Sequence, residues 1–265
     1  MPKIDLETGL RTFYRRDGSG FPLVLIMGTG LDHKCWNHQI NSYTNKYECI
    51  RMDNRGTGLT SGGTDTISVP LMANDTALLL DKLGIKRAHV SGLSLGSCVA
   101  QELAIRRPDL VKTLQLHGTW GRAYGYAKRK FNAQIKLLEE LNIRDFYEIN
   151  SLWFYTPEFM ANNRGKVLAY IEAIVRSKPN VNDLIGLYSA NLHHDTLSRL
   201  NQINVPTLIT VGTFDVAVPP MYAKEVSENI PGSELVEFVG GGHLHNIENP
   251  KEFNEVTLDF LSRHS

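Results

Sequence analysis

The sequence contains little cysteine and no long apolar run. Its 265 residues include only three cysteines, Cys35, Cys49 and Cys98, whose spacing matches neither a metal-binding nor a redox motif. An odd and sparse set of cysteines argues against a disulfide scaffold, and we expect a reducing, cytoplasmic setting. The longest apolar runs, such as 23–27, have the length of a strand and fall far short of the roughly 20 residues of a membrane span.

The chain also lacks an excess of charge of either sign. Lys and Arg together number 28, as do Asp and Glu, so no net charge attracts the protein to nucleic acid or to an anionic membrane. The first sixteen residues carry charges throughout and lack the apolar stretch of a secretory signal, so we expect none. The hydrophobic fraction of 42% suffices for a sizeable core. These features predict a soluble globular protein, and any partner must be inferred from local motifs.

Strands and helices alternate along most of the chain. Short β-rich apolar runs ended by Gly or Asp predict strands at 23–27, 49–52, 88–90, 113–116, 207–211 and 235–239. Segments with helical spacing lie between them, at 69–83, 94–106, 220–228 and 250–261. This alternation predicts an α/β fold, with a mostly parallel sheet and helices on both faces.

The alternation is interrupted once, in the region 120–200. There the spacing predicts helices at 127–141 and 158–176, with no clear strand between them. We interpret 120–200 as a helical cap inserted into a core domain formed by 1–119 and 201–265. An independent helical domain is the alternative. It is disfavoured because no linker rich in Gly, Ser or Pro flanks the region and because the sheet needs strands from both sides.

A G-x-S-x-G pattern, 92–96, lies between a predicted strand and a predicted helix. So sharp a turn lifts the hydroxyl of Ser94 above the sheet, and the flanking glycines let neighbouring backbone pass closely. The helix N-terminus supplies free N–H groups that favour developing negative charge. The pattern alone is common, and a glycine-rich turn capped by serine is the alternative. The position between strand and helix favours a nucleophile.

A serine hydroxyl needs a histidine base, which a carboxylate orients. Asp215 follows the predicted strand 207–211, at the edge where open α/β sheets carry their sites. His243 follows the last predicted strand and a run of three glycines. Serine, acid and histidine in this order predict a catalytic triad of Ser94, Asp215 and His243. His245, two residues further on, is the second candidate for the base.

These features resemble the α/β-hydrolase fold family over nearly the whole chain. The resemblance implies an eight-stranded sheet and an oxyanion hole made by the backbone N–H groups of Leu95 and Thr29. Gly28 and Gly30 would then let the substrate approach closely. Most relatives have histidine where this chain has Met27, and a methionine there is similar to the aclacinomycin methylesterase-like branch. Arg55 matches a position that is usually structural in the family.

Serine at the elbow disfavours the haloalkane dehalogenase and epoxide hydrolase routes, which need a carboxylate there. The core resembles 3-oxoadipate enol-lactonases and small carboxylesterases and, less closely, meta-cleavage C–C hydrolases. We therefore expect hydrolysis of a small ester or lactone through an acyl-enzyme on Ser94, without a cofactor or metal. A C–C hydrolase is one alternative, and a ligand receptor or a hydroxynitrile lyase-like protein that retains the triad is another. The sequence does not predict an oligomeric state.

The cap should set selectivity, because it would close over the serine and exclude water. Candidates for an apolar wall are Trp120, Trp153, Phe154 and Tyr155. Candidates for a carboxylate clamp are Arg122 and Arg129. Packing within the cap is the alternative role for the aromatic residues.

Three further histidines are candidates for the site. His117 ends a predicted strand, and His193 and His194 lie in the cap. A structural role is the commoner outcome for such residues. Two adjacent histidines without other ligands at suitable spacing do not predict a zinc site.

Overall fold

The structure, a computed structural model, describes residues 2–265. Eight strands form one sheet: β1 Lys3–Asp5, β2 Arg11–Asp17, β3 Phe21–Ile26, β4 Tyr47–Met52, β5 Ala88–Leu93, β6 Val111–His117, β7 Thr207–Gly212 and β8 Glu234–Phe238. Their order across the sheet is β1-β2-β4-β3-β5-β6-β7-β8. The pairs β1–β2 and β2–β4 are antiparallel and the remaining pairs are parallel. The predicted α/β fold with a mostly parallel sheet is thereby confirmed.

Most helices lie between strands, and α10 and α11 follow the last strand. They are α1 Asn37–Tyr43, α2 Val69–Lys82, α3 Leu95–Arg106, α4 Gly125–Glu140, α5 Ile143–Phe154, α6 Pro157–Asn162, α7 Arg164–Ser177, α8 Val181–His193, α9 Pro220–Asn229, α10 His245–Glu248 and α11 Pro250–Arg263. Helix α2 packs against α3, and α1 packs against α11. Across residues 2–265, no helix combines the length and the apolar character that crossing a bilayer requires.

All six strands read from the sequence are present, and two more precede them. Strands β1 and β2 were not predicted because they lie at one lateral side of the sheet. There β1 has no buried residue and β2 buries only two, in a segment rich in arginine. Central strands such as β5 and β7 are buried along their whole length. Burial on both faces requires continuous apolar runs, and such runs are what the sequence reveals most clearly.

The strand register aligns the carboxyl ends of the parallel strands. Ile26 pairs with Gly92, Leu93 pairs with His117, and His117 pairs with Thr210. The loops that follow β3, β5, β6 and β7 therefore leave the sheet at one edge. Parallel sheets commonly carry their sites at this edge.

Five helices, α4 to α8, lie between β6 and β7; we call residues 125–193 the helical segment. The residues that flank it meet where Arg122 and Asp195 form an isolated antiparallel β-bridge and where the Thr196 N–H donates to the Gly121 carbonyl at 2.8 Å.

The single helix expected at 158–176 is wrong, because the chain forms α6 and α7 with a break at Asn163. That residue leaves helical geometry (φ −128°, ψ 27°). Both its backbone N–H and its side-chain amide donate to the Phe159 carbonyl, at 2.8 and 3.1 Å. These two hydrogen bonds end α6.

Candidate active site

Ser94 occupies a strained turn between β5 and α3. Its backbone angles are φ 56° and ψ −124°, and its N–H donates to the His117 carbonyl at 2.8 Å. A Cβ at Gly92 would lie 2.2 Å from the Gly96 carbonyl oxygen, and one at Gly96 would lie 2.2 Å from that of Ile26. Only glycine fits either position. The turn thus holds a serine hydroxyl at the N-terminus of α3, above the sheet.

Asp215 and His243 form a buried pair next to this serine. His243 Nδ1 lies 2.7 Å from Asp215 Oδ2, and the two side chains are 2% and 0% exposed. The other carboxylate oxygen accepts from the N–H groups of Ala217 and Val218 at 2.9 and 2.8 Å. Because a carboxylate only accepts, Nδ1 carries the proton and Nε2 is left as the basic nitrogen.

His243 and Ser94 line the same cavity. Within residues 2–265 no hydrogen bond yet joins the Ser94 hydroxyl to the imidazole; such contacts commonly tighten only around a bound substrate.

Gly118 makes room for the pair, and sequence reasoning missed it. Its φ is +56°, and a Cβ there would lie 3.0 Å from His243 Cε1 and 3.5 Å from Asp215 Oδ2. A side chain would force the imidazole or the Gly118 backbone to shift. The signal was available, since Gly118 directly follows β6 at the same edge as the elbow.

His245, the rival base, lies behind His243 and belongs to a buried hydrogen-bond chain. Its Nδ1 lies 3.2 Å from the His243 carbonyl oxygen, and its Nε2 lies 2.8 Å from Thr210 Oγ1. That hydroxyl is also 2.7 Å from His117 Nδ1, and His117 Nε2 is 3.0 Å from Ser91 Oγ. Neither His245 nor His117 lines the cavity.

The donor and the acceptor of every hydrogen bond in this buried chain follow from its last bond, the one at the His243 carbonyl. The carbonyl of His243 can only accept, so His245 donates through Nδ1. Burial lowers the pKa of His245 to about 4, and that of His117 falls well below its usual value for the same reason. Both rings are therefore neutral, so Thr210 donates to His245 and accepts from His117, while Ser91 donates to His117. This chain of hydrogen bonds fixes the backbone that carries His243.

The loop after β3 passes beside the nucleophile. A Cβ at Gly28 would lie 2.8 Å from the Ser94 Cβ, so only glycine allows this approach. Among the described residues, the N–H groups of Thr29 and Leu95 have no acceptor. Gly30 has φ +67°, and its carbonyl accepts from the Tyr147 hydroxyl at 3.3 Å. The loop therefore passes close to Ser94, and two N–H donors are free beside it within the described residues: that of Thr29 in the loop and that of Leu95 at the start of α3.

The helical segment closes the cavity over Ser94. The lining residues are Thr29, Leu31, Ser94, Lys130, Phe131, Gln134, Phe154, Tyr188, Asn191 and His243. The enclosed space measures about 10 Å³, which is roughly room for one water molecule. A second, larger cavity of about 230 Å³ lies on the far side of the loop after β3, where Gly30, Tyr155 and Tyr170 line it.

Of the aromatic candidates, Phe154 alone lines the cavity over Ser94. Its ring stacks on the His243 imidazole, with centroids 5.9 Å apart and planes at 22°. Trp120 is fully buried behind the wall and packs against Phe131 at 5.3 Å. Trp153 is half-buried and lies outside both cavities, while Tyr155 lines only the larger one. Trp120 and Trp153 are therefore not wall residues here.

The carboxylate clamp expected at Arg122 or Arg129 is also misplaced, because both side chains are exposed. The cation in the cavity is the next residue, Lys130, whose Nζ donates to the Ala217 carbonyl at 3.0 Å. Burial lowers its pKa to about 7. Lys130 and Gln134 share the buried stripe of α4 with Ala127, Phe131 and Leu138.

Among the polar contacts that tie the helical segment to the carboxyl edge of the sheet, three reach the regions that follow β3, β7 and β8. The Asn191 amide donates to Thr29 Oγ1 at 2.8 Å. Glu248 accepts from the backbone N–H groups of Thr156 and Gly242, at 2.8 and 3.1 Å. The Lys130 contact to Ala217 is the third. Sequence spacing gives no sign of these contacts, because each joins residues far apart in the chain.

The remaining candidate residues have structural surroundings. Arg55 is buried and forms a two-pronged ion pair with Asp75, both bonds at 2.9 Å. His193 is exposed, and His194 is buried beside Gln101. Residues 2–265 include no group of three or more His, Cys, Asp or Glu side chains placed to hold a metal ion.

Comparison with known proteins places this architecture in a family. A family model described as the alpha/beta hydrolase fold matches residues 22–250. A provisionally named carbamate hydrolase, RutD, from Pseudomonas savastanoi pv. phaseolicola is 31% identical over 242 residues, covering 91% of this chain and 93% of the relative. Its namesake from Azorhizobium caulinodans is 29% identical over 248 residues and covers 94% of each chain.

Solved structures share the fold at lower identity. The enol-lactonase from Burkholderia xenovorans LB400 superposes with a TM-score of 0.92 at 23% identity, over 98% of this chain and 100% of that one. A thermophilic esterase from Thermogutta terrifontis gives 0.88 at 24% identity, over 100% and 99%. With the family model spanning most of the sequence, the chain belongs to the α/β-hydrolase family and is a hydrolase.

Proposed function

We propose that the protein is a serine hydrolase that cleaves a small ester or lactone through an acyl-enzyme on Ser94. His243 acts as general base and then as general acid, and Asp215 orients it. One observation carries this proposal: the buried 2.7 Å bond between Asp215 and His243 ends in a cavity that the imidazole shares with the serine of the strained elbow.

The chemistry follows the charge that develops. Ser94 Oγ attacks the acyl carbon and passes its proton to His243 Nε2, which Asp215 stabilises as an imidazolium. The acyl oxygen becomes negative, and the free N–H groups of Leu95 and Thr29 receive it. His243 then gives the proton to the leaving alcohol. A water molecule activated by the same imidazole releases the acid and frees the serine.

The helical segment acts as the lid of this site. Phe154 covers His243, Asn191 braces Thr29, and the space left is about that of one water molecule. So small a space supports a closed state that excludes water during acyl transfer, and substrate then enters when the segment moves outward. The interpretation of 120–200 as a cap inserted into the core domain is part of the same proposal.

A carbamate is the second candidate substrate. The relatives at 29–31% identity carry the name of carbamate hydrolases, and the carbonyl carbon of a carbamate would meet Ser94 as that of an ester does. C–C cleavage would use the same three residues. A receptor would keep them without turnover.

The test is to treat the protein with a fluorophosphonate probe and with p-nitrophenyl acetate, beside Ser94→Ala. We expect labelling and ester turnover in the native protein, and a loss of about 10⁴- to 10⁶-fold in kcat with no labelling in the variant. The exposed Ser262→Ala serves as control and should behave as the native protein does. Absence of both labelling and turnover in the native protein would sink the proposal.

Two further outcomes separate the alternatives. Labelling of Ser94 with negligible hydrolysis of any acyl compound would favour a receptor. A methyl alkanoate and a methyl N-alkylcarbamate of the same length, compared by kcat/KM, separate ester from carbamate hydrolysis.

A further inference from the structure

The cavity over Ser94 contains a cation that the proposed mechanism does not use. Lys130 projects from α4 into the cavity and is 7% exposed. Its ammonium makes one hydrogen bond, to the Ala217 carbonyl at 3.0 Å. The same nitrogen lies over the Phe131 ring, 4.7 Å from its centroid, and this contact also stabilises a positive charge. An ammonium has three donors, so up to two of them remain for a ligand.

No acidic side chain lines this cavity with it. The other lining residues include no Asp, Glu or Arg. The nearest carboxylate in the site, Asp215, is engaged by His243 and two backbone N–H groups. Burial lowers the pKa of Lys130 to about 7, and the negative charge of Asp215 offsets only part of that shift. A ligand that brings a further anion would stabilise the charged form of Lys130.

Gln134, one helical turn beyond Lys130, offers a second unpartnered group. The residue is fully buried, and its Oε1 has no hydrogen-bond partner among the described residues. Its Nε2 donates to Asn150 Oδ1 at 2.6 Å, and the Asn150 amide donates to the Tyr188 hydroxyl at 3.1 Å. The hydroxyl hydrogen of Tyr188 is thus left to donate. The cavity therefore presents an ammonium, an amide oxygen and a phenol.

We propose that Lys130 binds a carboxylate of the substrate, so that the preferred substrates are short esters, lactones or carbamates that carry a free carboxylate. The Tyr188 hydroxyl gives that carboxylate a further donor, and Gln134 Oε1 accepts an N–H or O–H of the same molecule. In this closed arrangement the space above Ser94 holds about one water molecule, so such a ligand enters as the helical segment moves outward. For turnover, this inference rests on the proposed function; for binding it stands alone.

Lys130 could instead only tie α4 to the loop that carries Asp215, through Ala217. The two roles differ in what they predict. A tie affects neutral and anionic ligands equally, because it acts through the shape of the site. An anion-binding residue affects only the ligands that carry the charge.

The experiment measures binding in the Ser94→Ala background, where no turnover is needed. Monomethyl succinate, which carries one carboxylate, and dimethyl succinate, its neutral counterpart, are titrated by calorimetry. Lys130→Met removes the charge at nearly constant volume, and Lys130→Gln keeps a donor for Ala217 without the charge. Lys128→Met removes an exposed cation two residues away in the same helix and is the matched control.

With Lys130 in place, we expect the Ser94→Ala protein to bind the monoester more tightly than the diester. Both Lys130 variants should weaken its binding on the order of 10- to 100-fold, the loss expected of a charged hydrogen bond, and should change the diester by less than about threefold. Lys128→Met should change neither. Equal weakening of the two esters, or a diester that binds the native cavity as well as the monoester does, would overturn the inference. Fluorophosphonate labelling of the protein with Ser94 intact reports separately on the proposed function.

Discussion

The carboxyl edge of the sheet and the helical segment build the same cavity in different ways. At the sheet edge, the geometry is set by backbone: Gly92 and Gly96 allow no side chain, and the strand register brings the loops together. The helical segment reaches this edge through a few polar contacts such as that of Asn191 to Thr29. In the proposed function, the reacting groups therefore lie on the rigid sheet, and the helical segment, which is attached by fewer contacts, selects the ligand.

Asp215→Asn tests the sheet edge most severely. The amide can present N–H to His243 and so hold the ring in the wrong tautomer, with Nε2 protonated. We expect kcat for p-nitrophenyl acetate to fall by about 10⁴-fold, with the thermal midpoint of unfolding little changed. The exposed Asp195→Asn, at the base of the helical segment, is the control and should keep full activity. A loss below tenfold would mean that the edge does not act through this pair.

Thr210→Val tests whether the edge is a rigid unit. The change keeps the shape of the side chain but removes the hydroxyl that joins His117 to His245. Two buried ring nitrogens then lose their partner, and we expect a loss of roughly 3 kcal/mol in the free energy of unfolding. Urea denaturation measures it.

Because the chain ends on the His243 carbonyl, kcat should fall several-fold as well. Thr210→Ser, which restores a hydroxyl, should recover most of both losses. Full stability in the valine variant would show that the chain contributes nothing.

The sheet edge could be predicted from the sequence because its signals are local. A buried parallel strand requires a continuous apolar run, and a glycine-flanked serine after such a run identifies the elbow. The choice between His243 and His245 was harder, since both follow the same strand. The structure separates them by which ring reaches Asp215 and which reaches Thr210.

The helical segment could not be predicted in the same detail. Its tryptophans looked like wall residues by type, yet Trp120 packs behind Phe131, because which face of a helix meets the cavity depends on tertiary packing. The clamp was expected at Arg122 or Arg129, whereas Lys130 lies inside. A single residue is 100° of helical rotation, so a prediction of helix position to within a few residues leaves the facing side chain undetermined.

The smallest effect we predict concerns the junction where the helical segment returns to the core. His194 follows α8, and burial lowers its pKa to about 4, with Glu102 opposing this shift and Arg199 adding to it. Its Nε2 lies near Gln101 Oε1 and Thr196 Oγ1, at 3.3 and 3.1 Å. The unfolded chain, with a histidine pKa near 6.5, takes up the proton first as the pH falls.

The stability that neutral His194 confers is therefore complete above about pH 6.5 and is lost progressively toward pH 4, by roughly 2 kcal/mol at pH 5. His194→Gln removes the titrating group, so the drop in the free energy of unfolding between pH 7.5 and pH 5 should shrink by about that amount. His193→Gln changes the exposed neighbour and should leave the drop as it is. Limited proteolysis at pH 5 locates the effect. Cleavage within 125–193 before cleavage in the sheet would mean that the junction opens first. Simultaneous cleavage of both regions would mean that the helical segment and the sheet unfold as one unit and do not differ in stability.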